Sequence, residues 1–430
     1  MIEAPAAPGR PEETGLEPDF LQKLVAKTFH VHGTMTPSAI ARETCLPINV
    51  VSALLSDLQR LQIIEARGLA GADMSSELRY ALGGRGIPFA LEAMAQSQYV
   101  GPAPVSLDAF HTQIKRQTIA HERVERADLL RSMSHLVLPE DLIDRLGPAI
   151  NSARSILFYG DPGNGKTSIA EAVGTAFKDT IYIPYAIEVG GQVISFYDTT
   201  VHTRVDPPQG SATGAVSSHR PAFDARWVPC VRPAILTGGE LSLAMLDLAY
   251  NPVSNFYEAP IHLKAAGGIF IVDDFGRQQT PPQTVLNRWI IPLERKYDYL
   301  TLHTGKKFSV PFDQLVVFST NIEPHKLADT AGLRRLYYKI HIPTPTADDY
   351  RQIFVNACQD IGVPFDETVF EEFFRRYYLD RNVAPAGHHP KYILDFIHSV
   401  CSYRGEPARL SAPLLDGAWN NLHVMQEPAG

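Results

Sequence analysis

The stretch Gly160-Asp161-Pro162-Gly163-Asn164-Gly165-Lys166-Thr167 constrains this chain more than any other. It is a complete G-x-x-x-x-G-K-[ST] pattern, a loop whose backbone N–H groups close around phosphates. Such a loop needs a strand to deliver it and a helix to leave it. Ser155-Ile156-Leu157-Phe158-Tyr159 predicts the strand. Ser168 to Phe177, apolar at Ile169, Ala172, Val173 and Phe177, predicts the helix. The N-terminus of that helix adds partial positive charge. Lys166 is expected to reach the β- and γ-phosphates, and the Thr167 hydroxyl to bind Mg²⁺.

A phosphate loop works with acidic groups at the end of a neighbouring strand. Gly267-Gly268-Ile269-Phe270-Ile271-Val272-Asp273-Asp274 predicts a strand buried on both faces with two carboxylates at its carboxyl end. Asp273 is placed to hold Mg²⁺ through water, and Asp274 to orient or deprotonate an attacking water. Leu315-Val316-Val317-Phe318 predicts another strand, ending in Ser319-Thr320-Asn321. The Asn321 amide there can touch a γ-phosphate or fix the water. Arg334 and Arg335 precede a further strand pattern, Tyr337 to Ile342. Paired arginines at a helix end commonly form a solvated face; here they also fit an arginine finger reaching an adjacent subunit.

In this order the motifs resemble those of the AAA+ ATPase family over roughly residues 135 to 425. Walker A lies at Gly160–Thr167, Walker B at Ile269–Asp274 and sensor 1 at Asn321. The finger is Arg335 or Arg334. The resemblance implies an α/β P-loop NTPase core with a parallel sheet and a C-terminal helical lid. It also implies ATP and Mg²⁺, with Gly160 to Ser168 around the nucleotide, and a ring oligomer, often a hexamer. The family carries a sensor 2 residue early in a lid helix. His389-Pro390-Lys391 opens such a helix, and Lys391 is the matching position. Two departures stand out. The family usually has Asp-Glu where this chain has Asp273-Asp274, and Arg where it has Lys391, a point charge rather than a planar fork. Asp274-Phe275-Gly276 also spells a kinase motif, but no H-R-D loop precedes it.

The 430 residues allow two or three domains. A net charge of −8 argues against a general nucleic-acid or membrane-surface binder. No apolar run is long enough to span a membrane. The first residues lack the basic and apolar regions of a signal peptide. Cys45, Cys230, Cys358 and Cys401 show no paired spacing and read as thiols in a reducing compartment. Together these features predict a cytoplasmic protein.

Along the chain, residues 1–16 read as a disordered tail rich in Pro, Ala and Glu. Residues 17–98 predict three helices and a hairpin with a Gly-rich turn, similar to a winged helix-turn-helix. Acidic residues outnumber basic ones over the first hundred positions. The third helix offers only Asn49 and Arg60 beside Asp57, and Arg67, Arg79 and Arg85 are the one candidate basic cluster. Protein recognition is therefore favoured over DNA binding. Residues 99–134 read as a stiff linker and polar connector helix, 135–345 as the ATPase core and 346–430 as the helical lid. An insertion around 190–235 predicts a hairpin of Val193–Tyr197 with Trp227–Val231, and a loop near 207–218. Gly190-Gly191 and Phe256-Tyr257 are candidate pore-facing elements. His388-His389 lacks a third ligand for a metal site.

Three functions fit these features. The leading one is an ATP-hydrolysing ring that remodels or moves a protein client, with the N-terminal domain recognising the client or an adaptor. The second is a DNA-directed ATPase: a loader, transposition helper or regulator. The third is an assembly switch driven by ATP binding, with hydrolysis as the reset.

Overall fold

A computed structural model describes residues 2–69, 77–206 and 223–423. Contacts divide the chain into two units. The first comprises Met1–Arg123, Phe177–Phe270 and Asn287–Leu315; the second comprises Val124–Ala176, Ile271–Leu286 and Val316–Gly430.

The first unit begins with a correction. The expected disordered tail is ordered over residues 2–16, with a 3-10 turn at Pro11–Thr14 and with Ala7, Thr14 and Leu16 buried. Its backbone carbonyls are recruited by distant donors. Glu3 O accepts from the Gln113 side chain, Gly9 O from Asn49, and Thr14 O from Arg226. Composition signals disorder here because these donors lie far away in sequence.

Three helices follow, Pro18–His32, Pro37–Thr44 and Ile48–Arg60. The second starts where expected, with Thr36 Oγ1 accepting from the Ala39 N–H at 3.2 Å and proline in the first turn. The apolar stripes meet in one core, including Leu24, Phe29, Ile40, Val51, Leu54 and Leu58. Strands Ile64–Leu69 and Leu78–Leu82 pair antiparallel, and Met35 bridges to Tyr80. The expected Gly-rich turn between them falls largely outside the described residues. A further helix spans Gly86–Gln96.

Residues 105–116 are no solvated connector. Val105–Ser106 joins a five-stranded sheet, and Phe110 and Ile114 of the helix Leu107–Arg116 are core residues. The inserted region also pairs differently from expectation. Ala186–Val189 forms a hairpin with Gln192–Ser195, whereas Trp227–Cys230 pairs with Ile181–Pro184. The cause is Gly190-Gly191, with φ of +60° and +81°, which forms a two-residue turn between paired Val189 and Gln192. The candidate pore residue Tyr257 is only 1% exposed and bonds His303 through its hydroxyl, so it belongs to the core. The expected loop near 207–218 lies outside the described residues. A hairpin of Tyr297–Thr301 with Lys307–Pro311, which the sequence reading missed, adds Leu300, Leu302, Phe308 and Val310 to the same core.

The second unit holds the phosphate-loop strand, Ile156–Tyr159. In space the order is Tyr338–His341, Ile156–Tyr159, Leu315–Thr320, Ile269–Val272, then Ala234–Thr237. By chain position among these five strands the order is thus 5-1-4-3-2. Both neighbours of Ile156–Tyr159 run parallel to it. The last strand lies in the first unit with Ile269 and Phe270, and the Ile269 N–H donates to Pro233 O at 2.7 Å. Such a sheet gathers polar strand ends at one edge, where open α/β folds bind ligands.

The C-terminal region has its own core. Helices Ala347–Ile361, Glu367–Phe374, His389–Arg404 and Ala412–Leu422 pack Tyr350, Phe354, Phe373, Leu394, Ile397 and Trp419 together. A π-helical turn, Arg375–Leu379, extends the second of these. Thr346 and Asp349 form a capping box, and Gly362 and Gly405 close two helices in the left-handed conformation. Among the described residues no helix is long and apolar enough to cross a membrane.

Candidate active site

Every residue singled out for nucleotide chemistry lies in the second unit. The loop leaves the strand at Tyr159 and enters the helix Lys166–Thr175 through Gly165. The backbone N–H groups of Gly165, Lys166, Thr167 and Ser168 have no acceptor among the described residues. Four unsatisfied donors at a helix start make an anion site.

Lys166 is buried, 6% exposed, and folds back over the loop. Its Nζ donates to Gly160 O at 2.9 Å and to Asp161 O at 2.7 Å. Burial lowers its pKa, while Asp274, Asp161 and Asp273 act in the opposite direction. A phosphate in the loop would supply the counter-charge that these carbonyls only imitate. Asp161 and Pro162 are exposed at the loop's outer side.

Thr167 Oγ1 donates to Asp273 Oδ2 at 2.8 Å. The strand that delivers Asp273 is not the loop strand's neighbour, as the sequence suggested, but lies beyond Leu315–Thr320. Even so, the Thr167 hydroxyl and the Asp273 carboxylate meet, as a shared Mg²⁺ requires. Asp274 follows with φ +47°, in the left-handed region, and is exposed. Asn321 Nδ2 reaches Asp274 Oδ1 at 3.4 Å. The turn after them is held from below. Gln278 Nε2 donates to Asp273 O at 2.9 Å, and Gln278 Oε1 accepts from the Gly276 N–H at 2.8 Å. The Phe275 N–H donates to Ser319 O at 2.7 Å, and its ring packs on Phe318. Gln278 and Phe275 are positioning residues that the sequence reading passed over. The Asp-Phe-Gly run is thus a braced turn between two strand ends.

The lid reaches the loop at an unexpected residue. The His388 N–H donates to Gly163 O at 2.9 Å, and the Gly387 N–H to Asn164 Oδ1 at 3.4 Å. A Cβ on Gly163 would lie 1.9 Å from His388 Nδ1, and Gly163 has φ +80°, so only glycine fits. Lys391, the expected lid contact, is exposed in the first turn of its helix and bonds to no described residue. Behind His388, His389 is buried; its Nδ1 lies 2.9 Å from the Tyr378 hydroxyl, which meets the Tyr350 hydroxyl at 2.6 Å. Burial and the nearby His388 and His423 lower the His389 pKa to about 4.

The two arginines separate in role. Arg335 is half-buried and turns its guanidinium back onto Ala331 O. Arg334 is exposed, and its guanidinium has no partner among the described residues.

Beside the loop lies a cleft open to solvent. Val137, Leu138 and Pro139 line one side, Ile342 to Pro345 another, and Asn164 and Gly387 its floor. Buried Asn164 leaves its Nδ2 without a partner among the described residues. The convergence of these residues on Asn164 depends on tertiary packing. Together the open N–H run, the buried lysine, the Thr167–Asp273 pair and an adjoining apolar cleft fit a nucleotide with its metal.

A family model described as a domain of unknown function, DUF8689, matches residues 346–421, the C-terminal helical region. No curated protein matches the chain. Among solved structures, NtrX from Brucella abortus is similar at 11% identity and TM-score 0.39, covering 73% of this chain and 58% of that one. A single-residue variant of Thermotoga maritima RuvB is similar at 11% identity and TM-score 0.37, covering 66% of this chain and 70% of that one. Likenesses this distant add nothing to the geometry, which stands alone: strand, phosphate loop and helix in a sheet of order 5-1-4-3-2, followed by a separate helical region, make this an α/β P-loop fold.

Proposed function

We propose that this chain is an AAA+ ATPase that binds ATP at Gly160–Ser168 and hydrolyses it to ADP and phosphate. The observation that carries the reading is the Thr167–Asp273 contact beside the unsatisfied N–H run. Bound Mg²⁺ would neutralise phosphate charge between those two side chains. Lys166 exchanges its loop carbonyls for phosphate oxygens. Asp274 takes a proton from water that Asn321 helps to orient. Arg334, exposed and unpaired, is the better finger toward a neighbouring copy, with Arg335 as the alternative. Lys391 remains available to a nucleotide only if its side chain turns inward.

The assembly is a ring of copies, with a hexamer the simplest form, and its work is remodelling a protein client. The N-terminal helices and hairpin resemble a winged helix, and their surface supports a protein partner over DNA. On the third helix, Asn49 is engaged by Gly9 O and Arg60 by Asp57. Arg67 pairs with Glu65. Ile87 and Leu91, one helical turn apart, are each 51% exposed.

The deciding experiment measures nucleotide binding, ATP turnover with and without duplex DNA, and oligomer mass in one sample. Nucleotide-dependent assembly with DNA-independent turnover is expected. Lys166→Ala should lose binding, and Asp274→Asn should keep it while turnover falls at least about a hundredfold. Steeply salt-dependent stimulation by DNA would favour the DNA-directed reading instead. A Lys166→Ala protein that binds and turns over like the wild type would refute the site.

A further inference from the structure

We propose that Asn164 reads the base of the bound nucleotide, donating its unpaired amide hydrogen to a ring nitrogen of a purine. The inference rests on the nucleotide site proposed above and deepens it.

Asn164 is 9% exposed, and its Nδ2 has no partner among the described residues. A buried amide donor left unpaired is destabilising, so proteins rarely keep one without a use. Its orientation is set by its other end. The group facing Asn164 is the Gly387 N–H, a donor, so the amide oxygen must point there and the nitrogen elsewhere. Asn164 also lines the open cleft together with Leu138, Pro139, Ile342 and Pro343. The cleft adjoins the phosphate loop because Asn164 belongs to both. Its apolar walls suit a flat aromatic ring, and purine ring nitrogens are acceptors. Thr344 and Asp349 line the cleft as well, and a few placed polar groups among apolar walls are the usual means of fixing a ligand's orientation.

Asn164 therefore has two faces. Its oxygen holds the lid backbone at Gly387, and its nitrogen serves the base. The Asn164→Asp variant separates them, because it keeps an acceptor for Gly387 and removes the donor. Asn164→Leu removes both at similar volume.

The test is equilibrium binding to the full chain with Mg²⁺, by displacement of a fluorescent ATP analogue. The competitors are ATP, 1-deaza-, 3-deaza- and 7-deaza-ATP, and inorganic tripolyphosphate. In the wild type, one deaza analogue should bind about tenfold more weakly than ATP. In Asn164→Asp and Asn164→Leu that ratio should fall to about one. The ratio is the readout because the added charge of Asn164→Asp weakens all nucleotides alike. Tripolyphosphate, which has no base, reports any change in the loop itself, and each variant's nucleotide affinities are read relative to it. Unchanged deaza ratios in both variants, or no discrimination in the wild type, would overturn the assignment while leaving the ATP site standing. Failure of the wild type to bind any nucleotide would overturn both.

Discussion

Arg334 and Arg335 show how much one residue's surroundings can say. The sequence offers two adjacent guanidiniums and no means of choosing between them. The structure commits one to its own helix and leaves the other exposed. Arg334→Ala is expected to retain ATP binding and lose hydrolysis by about a thousandfold or more, the usual worth of a finger. Arg335→Ala should lose far less. Mixing Arg334→Ala with Lys166→Ala subunits should restore part of the turnover, because each mixed interface pairs one intact loop with one intact finger. Steady-state rates across a mixing series measure this, and a flat zero in every mixture would exclude action between subunits. Lys391 carries the opposite lesson. Family position pointed to it, but the lid residues that contact the loop are Gly387 and His388.

At the level of elements, His388 ties the lid to the phosphate loop, and His389 beside it ties the lid helix to the aromatic core. Its pKa of about 4 lies below the ordinary value of 6.5, because burial disfavours the charged ring. A group depressed on folding contributes stability above its unfolded pKa and loses it as pH falls toward the folded one. The lid should therefore weaken between about pH 6.5 and pH 4. His389→Gln should lower stability at neutral pH and flatten that dependence. Thermal melts at about pH 7.5 and about pH 5 check both effects. How legible such elements were depends on where their partners lie. The phosphate loop, the Asp273 strand and the lid helices were readable because their signals are local: glycine spacing, apolar runs, caps. The inserted strands were misread because Val193–Ser195 and Trp227–Cys230 are equally good strand patterns, and only pairing decides. Gly190-Gly191 held the answer as a turn signal. The hairpin Tyr297–Pro311 is local and was simply missed, whereas the cleft beside Asn164 went unseen because it arises from tertiary packing.

Across the whole chain, the N-terminal segment acts as structure rather than appendage. Residues 2–16 supply carbonyls to Gln113, Asn49 and the buried Arg226, which is 3% exposed. Arg226 also pairs with Asp224 at 2.8 Å and donates to Pro104 O. Deleting residues 2–16 would leave a buried guanidinium short of one acceptor and uncover the core beneath Ala7 and Leu16. The expected loss is roughly 3 kcal/mol, from one charged hydrogen bond and part of one leucine's burial. Urea unfolding of the truncated chain measures it, and an unchanged midpoint would show the segment to be dispensable. Reading composition alone, one would remove this segment to improve a preparation. The structure predicts the reverse result.

The left-handed backbone at Asp274 bears on how this site can change over time. Aspartate and asparagine are the side chains, after glycine, that best tolerate φ near +47°. Replacing Asp274 with the glutamate common in related motifs would thus be no simple repair. The longer side chain loses the local tolerance of aspartate, at a cost of about 1 kcal/mol, unless the turn braced by Gln278 relaxes with it. Asp274→Glu should melt below the wild type, and thermal melts of the two proteins measure the difference. The change from one acidic pair to the other thus carries a backbone cost at this turn, which favours keeping the aspartate even under selection for faster turnover.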